Sequence, residues 1–340
     1  MLTGASGVVG SAVAEALARD FRVVALTGRR PVAGYEQVTA DLTALRLGLR
    51  RETYAGLAER ADLVVHAAGN VDYATDPSGL RAVNIGGTAE MIAFAEAAGC
   101  PLLYVSTAFT GRRAEVAAHE ERTGGSSPAR PSRYLASKVE ADALVRRCAR
   151  PAVIVRPSAV MGDSSGGFAP ARQNAHAVLA AVAGGNLPAV FFRPEQRVDM
   201  VPRDLLAEAV ARLARDAVEG RPLPEEFWAT AGPSALTCAE IVRAIGATVR
   251  ARGGTFQTPA FLDPFTTSPD DFPGWDALPR PFRRAVGNMY AGALPLGRGE
   301  CFPTSMEIGP DDARAFLAND LAFVLARPRK PVSLAGERRS

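Results

Sequence analysis

The first 157 residues alternate between short apolar runs and helical patterns, and this rhythm constrains the fold more than any other feature of the chain. Apolar runs typical of buried strands lie at 21–26, 61–69, 100–108 and 151–157. Helical patterns lie around them, at 8–19, 78–98 and 133–149. Continuous apolar strands belong to parallel sheets that are covered on both faces. The alternation therefore predicts an α/β fold with a doubly wound parallel sheet of the Rossmann type.

After Pro157 the rhythm loosens. We predict a loop at 161–170, a late strand at 226–231 and an irregular cap at 253–308. Further helices are predicted at 171–183, 203–215, 236–252 and 310–327. The expected organisation is a dinucleotide-binding core, a mixed substrate-binding region that returns late elements to the core, and a disordered basic tail. These three parts cover 1–157, 158–328 and 329–340.

Composition excludes several function classes. The chain has 340 residues, 47% of them hydrophobic, and a mean hydropathy of +0.02, which is typical of a globular protein. A net charge of +3 is too small to indicate a nucleic-acid partner. No apolar run approaches the roughly 20 residues of a membrane span, and the N-terminus lacks a secretory pattern, so we expect a cytoplasmic protein. The cysteines show no metal-ligand spacing, which predicts reduced thiols and no metal site; they are Cys100, Cys148, Cys238 and Cys301.

The stretch TGASGVVG places Gly4, Gly7 and Gly10 directly before a helix. Glycines let the backbone turn sharply and approach a diphosphate, and the helix N-terminus then offers free N–H groups to the anion. The pattern therefore predicts dinucleotide binding. The strand before the loop has only Met1 and Leu2, so we expect that the natural start lies a few codons upstream; an intact mass matching a start at Met1 would contradict this.

The second strand ends near Leu26, and Thr27-Gly28-Arg29-Arg30 follows. An acidic residue at this place would bind a ribose 2′-hydroxyl, whereas arginine suits a 2′-phosphate. Arg29 and Arg30 therefore favour NADP(H) over NAD(H). Paired arginines also occur elsewhere in the chain, so position alone supports this interpretation.

Only Lys138 and Lys330 are lysines among the 39 basic residues of the chain. Lys138 follows Tyr134 by four residues on a predicted helix, so that the ammonium lies one turn from the phenol. An ammonium so placed would lower the pKa of the tyrosine and help it to donate a proton to a carbonyl oxygen. Lysine is a compact point charge, whereas arginine has a broad planar fork. The pair predicts carbonyl reduction. A hydroxyl at the end of the strand of 101–106 would polarise the carbonyl, and we favour Thr107 over Ser106.

Taken together, these residues resemble the extended short-chain dehydrogenase/reductase superfamily over most of 1–250. The motifs that carry the resemblance are TGASGVVG, ADLT, HAAG, VNIGGT, VST, YLASK and VRPS, in the family's order. The resemblance implies a nicotinamide cofactor and a Ser/Thr–Tyr–Lys trio. It places Asp41 near the adenine, His66 to Gly69 along the cofactor and Asn84 as a support of the active site. The cofactor residues implied are Thr3, Gly4, Ser6, Gly7, Val8, Val9, Gly10, Arg29, Arg30, Asp41, Leu42, Ala67, Ala68, Gly69, Asn84, Pro157 and Ser158.

Within the superfamily, LRAVNIGGTAEMIAFA, LLYVSTAF, IVRPSAVMGDSSGGF and VDMVPRDLLAEAVARLA look most like the thioester-reductase and fatty acyl-CoA reductase branch. The branch implies NADPH-dependent reduction of an acyl thioester, on a carrier-protein phosphopantetheine or on CoA, to aldehyde or alcohol. Arg193 and Arg197 are candidates to meet a phosphate of that carrier. The expected substrate residues are Phe109, Val160, Gly162, Asp163, Phe168, Arg193 and Arg197.

Two alternatives stay open at this point. One is a sugar-nucleotide epimerase, dehydratase or ketoreductase on the same scaffold, which would retain NAD tightly. The other is a dinucleotide-binding sensor without catalysis, against which the Tyr134–Lys138 pair argues. Of the histidines, we expect His119 to be a solvated loop residue and His176 to serve packing or the surface.

Overall fold

Seven parallel strands form the central sheet of the computed structural model, which describes residues 1–28, 30–123, 129–171 and 174–326. The strands β1 to β13 are, in chain order, Leu2–Thr3, Val24–Thr27, Glu36–Thr39, Val64–His66, Leu102–Val105, Ala152–Pro157, Ala159–Val160, Ala189–Val190, Arg197–Val198, Met200–Val201, Glu226–Ala229, Leu236–Thr237 and Ala260–Phe261. The order across the sheet is β3-β2-β1-β4-β5-β6-β11. The remaining short strands pair in twos outside it.

Helices cover both faces of this sheet. The helices α1 to α11 are Val8–Leu17, Arg51–Ala58, Pro77–Leu80, Gly87–Ala98, Arg113–Arg122, Pro131–Val145, Asn174–Ala183, Arg203–Val218, Cys238–Ala251, Arg280–Ala293 and Pro310–Ala326. One core lies between the sheet and α1 with α8, and a second lies between the opposite face and α2, α4 and α6. A third core joins the late elements to α6. The predicted doubly wound α/β fold is therefore confirmed.

The apolar runs fold as strands because both faces of each are covered; every residue of β2, β4 and β5 is buried. The late strand predicted near 226–231 is present as β11, and it extends the sheet beside β6. The helix predicted at 78–98 is interrupted by a π-helical turn at Arg81–Gly86.

Three elements depart from the sequence expectations. Strand β3 and helix α2 were not predicted, because β3 alternates exposed with half-buried residues and α2 buries only its last turn. The irregular cap expected at 253–308 is wrong in part, because α10 lies within it. This arginine-rich helix buries one face, with Val286, Met289 and Tyr290 in the third core. The basic tail at 329–340 lies outside the described residues.

No helix in the part of the chain that the structure describes has both the length and the apolar character needed to cross a membrane.

Candidate active site

The carboxyl ends of the central strands gather the predicted motifs at one edge of the sheet. Thr3 pairs with Leu26 and His66, and His66 pairs with Tyr104. The glycine loop after β1 and the residues after β4, β5 and β6 therefore lie side by side. The strand order reverses between β1 and β4, and in open parallel sheets ligands bind in the crevice at such a point.

The glycine loop is shaped for the close approach of an anion. Gly4 adopts φ +77°, which disfavours any side chain, and a Cβ on Gly10 would lie 2.0 Å from the carbonyl oxygen of Gly4. Gly7 starts α1 without a side-chain cap, and the first turn carries no acidic residue. Its N–H groups and positive dipole end are thus left to a ligand, which fits the diphosphate of a dinucleotide.

The buried side chain of His66, the last residue of β4, joins the strand ends beneath the glycine loop to the loop that follows β4. The His66 side chain is fully buried, with Nδ1 2.7 Å from the Thr3 hydroxyl and Nε2 3.2 Å from the Thr88 hydroxyl. The Thr3 hydroxyl also accepts from the Ala68 N–H. Burial, and secondarily the charge of Lys138, lowers the pKa of His66 to about 3, so the imidazole is neutral. Its side chain thus supports the glycine loop from the core instead of lining its surface.

Asn84 joins this loop to the helix that carries Tyr134. Its Oδ1 accepts from the Asn70 N–H at 2.7 Å, and its Nδ2 donates to the Asn70 carbonyl and to the Ser137 hydroxyl at 2.9 Å. The Ser137 hydroxyl in turn donates to the carbonyl of Tyr134. Asn84 lies in the π-helical turn, a local feature that often marks functional sites.

At the end of β5, the two adjacent hydroxyls have different partners. Ser106 donates to the carboxylate of Asp142 at 2.5 Å, so its hydroxyl is committed to the core. The Thr107 hydroxyl is close enough to the phenol of Tyr134 to lower its pKa, and it donates at 3.5 Å to the carbonyl of Pro157. The Thr107 hydroxyl also accepts a long contact from the N–H of Phe109, 3.3 Å away. Thr107 is therefore the hydroxyl placed beside the tyrosine.

Tyr134 is buried on α6, and its ring lies 5.4 Å from that of Tyr73. Burial raises the pKa of Tyr134, the neighbouring phenol of Tyr73 adds to this, and the nearby Thr107 hydroxyl opposes it. The lowering expected from the sequence is therefore absent, because desolvation of the phenolate is the largest effect on the pKa of this group. The phenol is held in its protonated form, which is the form that donates. Tyr73 was not predicted; nothing in its loop sequence distinguishes it.

Lys138 is buried one turn after Tyr134. Its ammonium donates to the Val105 carbonyl at 2.9 Å and lies 4.3 Å from the centre of the Tyr104 ring. Burial lowers the pKa of Lys138 to about 7, whereas the carboxylate of Asp142 raises it. Sequence reasoning did not single out Asp142 or its partner Arg156, although the spacing of Tyr134, Lys138 and Asp142 by four residues was an available signal.

The other expected cofactor residues lie around the same edge. Arg29 lies outside the described residues, and Arg30 is exposed. Asp41 is exposed after β3, and its carboxylate accepts from the N–H and the hydroxyl of Thr43. Leu42 contacts the start of α4 at Gly87. The remaining members lie at or just after the ends of β1, β4 and β6, or in the first turn of α1; they are Ser6, Val8, Val9, Ala67, Gly69, Pro157 and Ser158.

The loop after β7 is fixed against the last helix. Gly162 donates its N–H to Asp320, and the buried Arg203 approaches Asp163 at 3.5 Å and the Phe168 ring at 5.7 Å. Phe168 itself is 48% exposed. Of the other expected substrate residues, Val160 is half-buried in β7 and Phe109 packs against Phe302.

Arg193 and Arg197 each have partners within the chain. Arg193 donates to the carbonyl of Arg298 and lies 3.6 Å from Glu195. Arg197, on β9, donates to the carbonyl of Ala235.

The expectation for His119 was wrong. It lies buried on α5, with Nε2 hydrogen-bonded to the phenol of Tyr290 and Nδ1 accepting from Arg122. Helix α10 covers it, and no local pattern indicates that contact. His176 is fully buried, 3.4 Å from Asp320, which agrees with a packing role.

A family model described as "male sterility protein", an NAD-binding family, matches residues 32–210. The chain belongs to this family. The NAD-binding character of this family agrees with the parallel sheet and the glycine loop described above.

Similar proteins agree with this assignment. The hybrid PKS-NRPS synthetase gkaA of Penicillium citrinum is 28% identical over 186 residues, 49% of this chain and 5% of the synthetase. The glycine betaine reductase ATRR of Emericella nidulans is 39% identical over 72 residues, 21% of this chain and 6% of the reductase. The chain thus spans a small part of these relatives. The terminal R domain of the myxalamid PKS-NRPS pathway shares the fold with a TM-score of 0.70 at 18% identity, covering 96% of this chain and 90% of that one.

Proposed function

We propose that this chain is an NADPH-dependent reductase of acyl thioesters, which are presented on a carrier-protein phosphopantetheine or on CoA. The observation that carries the proposal is the placement of the Thr107 hydroxyl beside the phenol of Tyr134, on the helix that carries the buried Lys138 ammonium one turn later. The relatives named for PKS-NRPS pathways and for glycine betaine reduction support the choice of substrate class.

The glycine loop and the uncapped start of α1 would hold the diphosphate of the dinucleotide. The nicotinamide, when bound, supplies a hydride to the thioester carbon. Thr107 and Tyr134 donate hydrogen bonds to the oxygen of that carbonyl, where negative charge develops. Tyr134 transfers its proton to this oxygen, and Lys138 stabilises the resulting phenolate. The hemithioacetal then breaks its C–S bond to give an aldehyde and a thiol, and a second round gives the alcohol.

We assign 158–328 to substrate binding, with the loop of Gly162 to Phe168 at the cleft. Phe168, the last residue of this loop, has an exposed ring that suits contact with an acyl chain. We propose that Arg29 and Arg30, which follow β2 in the sequence, select the 2′-phosphate of NADPH; Arg30 is exposed.

The test is incubation of the purified protein with NADPH and a panel of acyl-CoA and acyl-pantetheine thioesters. Loss of absorbance at the nicotinamide band, matched by an equal release of thiol, is the expected result. NADPH oxidation by simple ketones without thiol release, or NAD found already bound, would contradict it and favour the ketoreductase or epimerase class. Arg30→Ala should weaken the binding of NADPH and leave the binding of NADH unchanged. Arg243→Ala, at an exposed arginine on α9, is the control and should change neither.

A further inference from the structure

A buried ion pair lies behind the groups assigned to catalysis. The Oδ2 atom of Asp142 on α6 and the Nη1 atom of Arg156 on β6 are 2.9 Å apart, and their side chains are 3% and 4% exposed. Burying two charges is costly, and an apolar pair of similar volume often stabilises a fold equally well. The location of this pair therefore needs an explanation other than stability.

Asp142 and Arg156 contact the segment that follows β5, before and after the Thr107 side chain. Asp142 accepts from the hydroxyl of Ser106, the residue before it, at 2.5 Å. Arg156 donates to the carbonyl of Thr107 at 3.3 Å and to the hydroxyl of Thr110 at 2.8 Å. Three successive points of the chain around Thr107 are thus held by two side chains that are themselves immobilised by burial.

A third carboxylate completes the arrangement. Glu226 on β11 accepts from the other terminal nitrogen of Arg156 at 2.8 Å, so the guanidinium cannot rotate without losing a charged partner. Arg156 is thereby fixed between two carboxylates, and the Nη1 atom that contacts Asp142 also donates to the carbonyl of Thr107 and to the hydroxyl of Thr110.

Asp142 also acts on Lys138, which precedes it by one turn. The groups that face the ammonium are His66 on β4, Tyr104 on β5, Asp142 on α6 and Arg156 on β6. Of these, His66 is neutral and Tyr104 is protonated. The Asp142 carboxylate therefore supplies the negative charge that balances the ammonium.

We propose that the Asp142–Arg156 pair is a positioning device, which aims the Thr107 hydroxyl at the phenol of Tyr134 and keeps Lys138 charged. This inference rests on the proposed function and deepens it. Neither residue touches the substrate; each acts through another side chain. A displacement of about 1 Å in a reacting group is sufficient to cost about 100-fold in rate.

The test is a double-mutant cycle between Asp142→Asn and Thr107→Ala, with kcat and KM measured in each variant. We expect Asp142→Asn to lower kcat by about 100-fold with little change in KM, and to add little in the Thr107→Ala background. The alkaline limb of its pH profile should move to lower pH, because loss of the carboxylate lowers the pKa of Lys138. Wild-type kcat in Asp142→Asn, or full additivity with Thr107→Ala, would overturn the inference.

A second variant distinguishes a role of the Asp142–Arg156 pair in stability from its role in positioning Thr107. Asp142→Leu with Arg156→Met removes both charges and leaves neither buried alone, so its thermal midpoint should recover relative to Asp142→Asn, while kcat stays low. Recovery of kcat together with stability would show that the pair serves the fold only. Asp216→Asn is the control. It breaks a remote ion pair, in which the carboxylate of Asp216 on α8 lies 2.7 Å from Arg221, and it should keep the wild-type kcat.

The same variants are assayed with a simple aldehyde. If the wild-type protein reduces the aldehyde but releases no thiol from thioesters, the proposed substrate class fails, and the cycle is evaluated on the aldehyde. If it reduces no carbonyl compound, both the proposed function and the positioning role are overturned.

Discussion

The ammonium of Lys138 donates a hydrogen bond to the backbone carbonyl of Val105, 2.9 Å away. Val105 ends strand β5, two residues before Thr107, so helix α6 and the strand end are joined at the point where their hydroxyl groups meet. This contact explains why a lysine occupies position 138. The space around its amine is bounded by the Tyr104 ring and by the Val105 carbonyl, which accepts one N–H. An arginine fork would need more room and more acceptors.

Lys138→Arg should lower kcat by about 10²- to 10⁴-fold, because the larger guanidinium cannot occupy this space and still stabilise the phenolate of Tyr134. Thiol release from an acyl-CoA substrate measures the loss, and circular dichroism checks the fold. Lys330→Arg, at the only other lysine, is the matched control and should behave as wild type. Turnover near wild type in Lys138→Arg would exclude the proposed role.

Thr107→Ala should cost about 10²- to 10³-fold in kcat, the usual effect of removing one donor to an oxyanion. Thr107→Ser keeps the hydroxyl and should restore most of the rate. Equal rates for the alanine and serine variants would show that the methyl group, and not the hydroxyl, accounts for any change. Steady-state kinetics at saturating NADPH gives the comparison.

Gly10→Ala should weaken NADPH binding by about tenfold or more, equivalent to at least 1.4 kcal/mol. The new methyl would lie 2.0 Å from the carbonyl oxygen of Gly4, so the backbone of the glycine loop would have to shift. Gly56→Ala on α2 is the control, since a Cβ built there meets no atom within 4 Å apart from the adjoining residues and backbone of its own helix. Titration of NADPH fluorescence measures both variants, and unchanged affinity in Gly10→Ala would contradict the proposed diphosphate site.

His66 should make the protein less stable in mild acid. Burial lowers the pKa of His66 to about 3, against 6.5 in the unfolded chain, so between these values the unfolded state binds the extra proton. The free energy of unfolding should therefore fall as pH falls from 6.5 toward 3, by at most about 1.4 kcal/mol per pH unit from this group.

Urea denaturation of the wild-type protein and of His66→Asn at pH 7, 6 and 5 measures this contribution. The asparagine keeps hydrogen-bonding capacity toward Thr3 and Thr88 but does not titrate, so its stability should depend less on pH. Parallel pH curves for the two proteins would show that His66 does not contribute.

Local sequence was sufficient for the parts of the fold that depend on local physics. The glycine loop, the Tyr134–Lys138 spacing and the main strands were all predictable, because turn conformation, helix periodicity and apolar runs are properties of neighbouring residues. Helix α10 was missed because its apolar face becomes recognisable only against the core that covers it.

Tertiary structure decided the rest. From the sequence, Ser106 and Thr107 stood as two hydroxyls at one strand end; only packing directs the first to Asp142 and the second to Tyr134. Arg156 meets Asp142 across two elements, a contact that no local pattern encodes. The sequence by itself thus determined which side chains are available at the carboxyl edge of the sheet. The direction of the pKa shifts of Tyr134 and Lys138 was decided by burial, which exists only once the chain has folded around them.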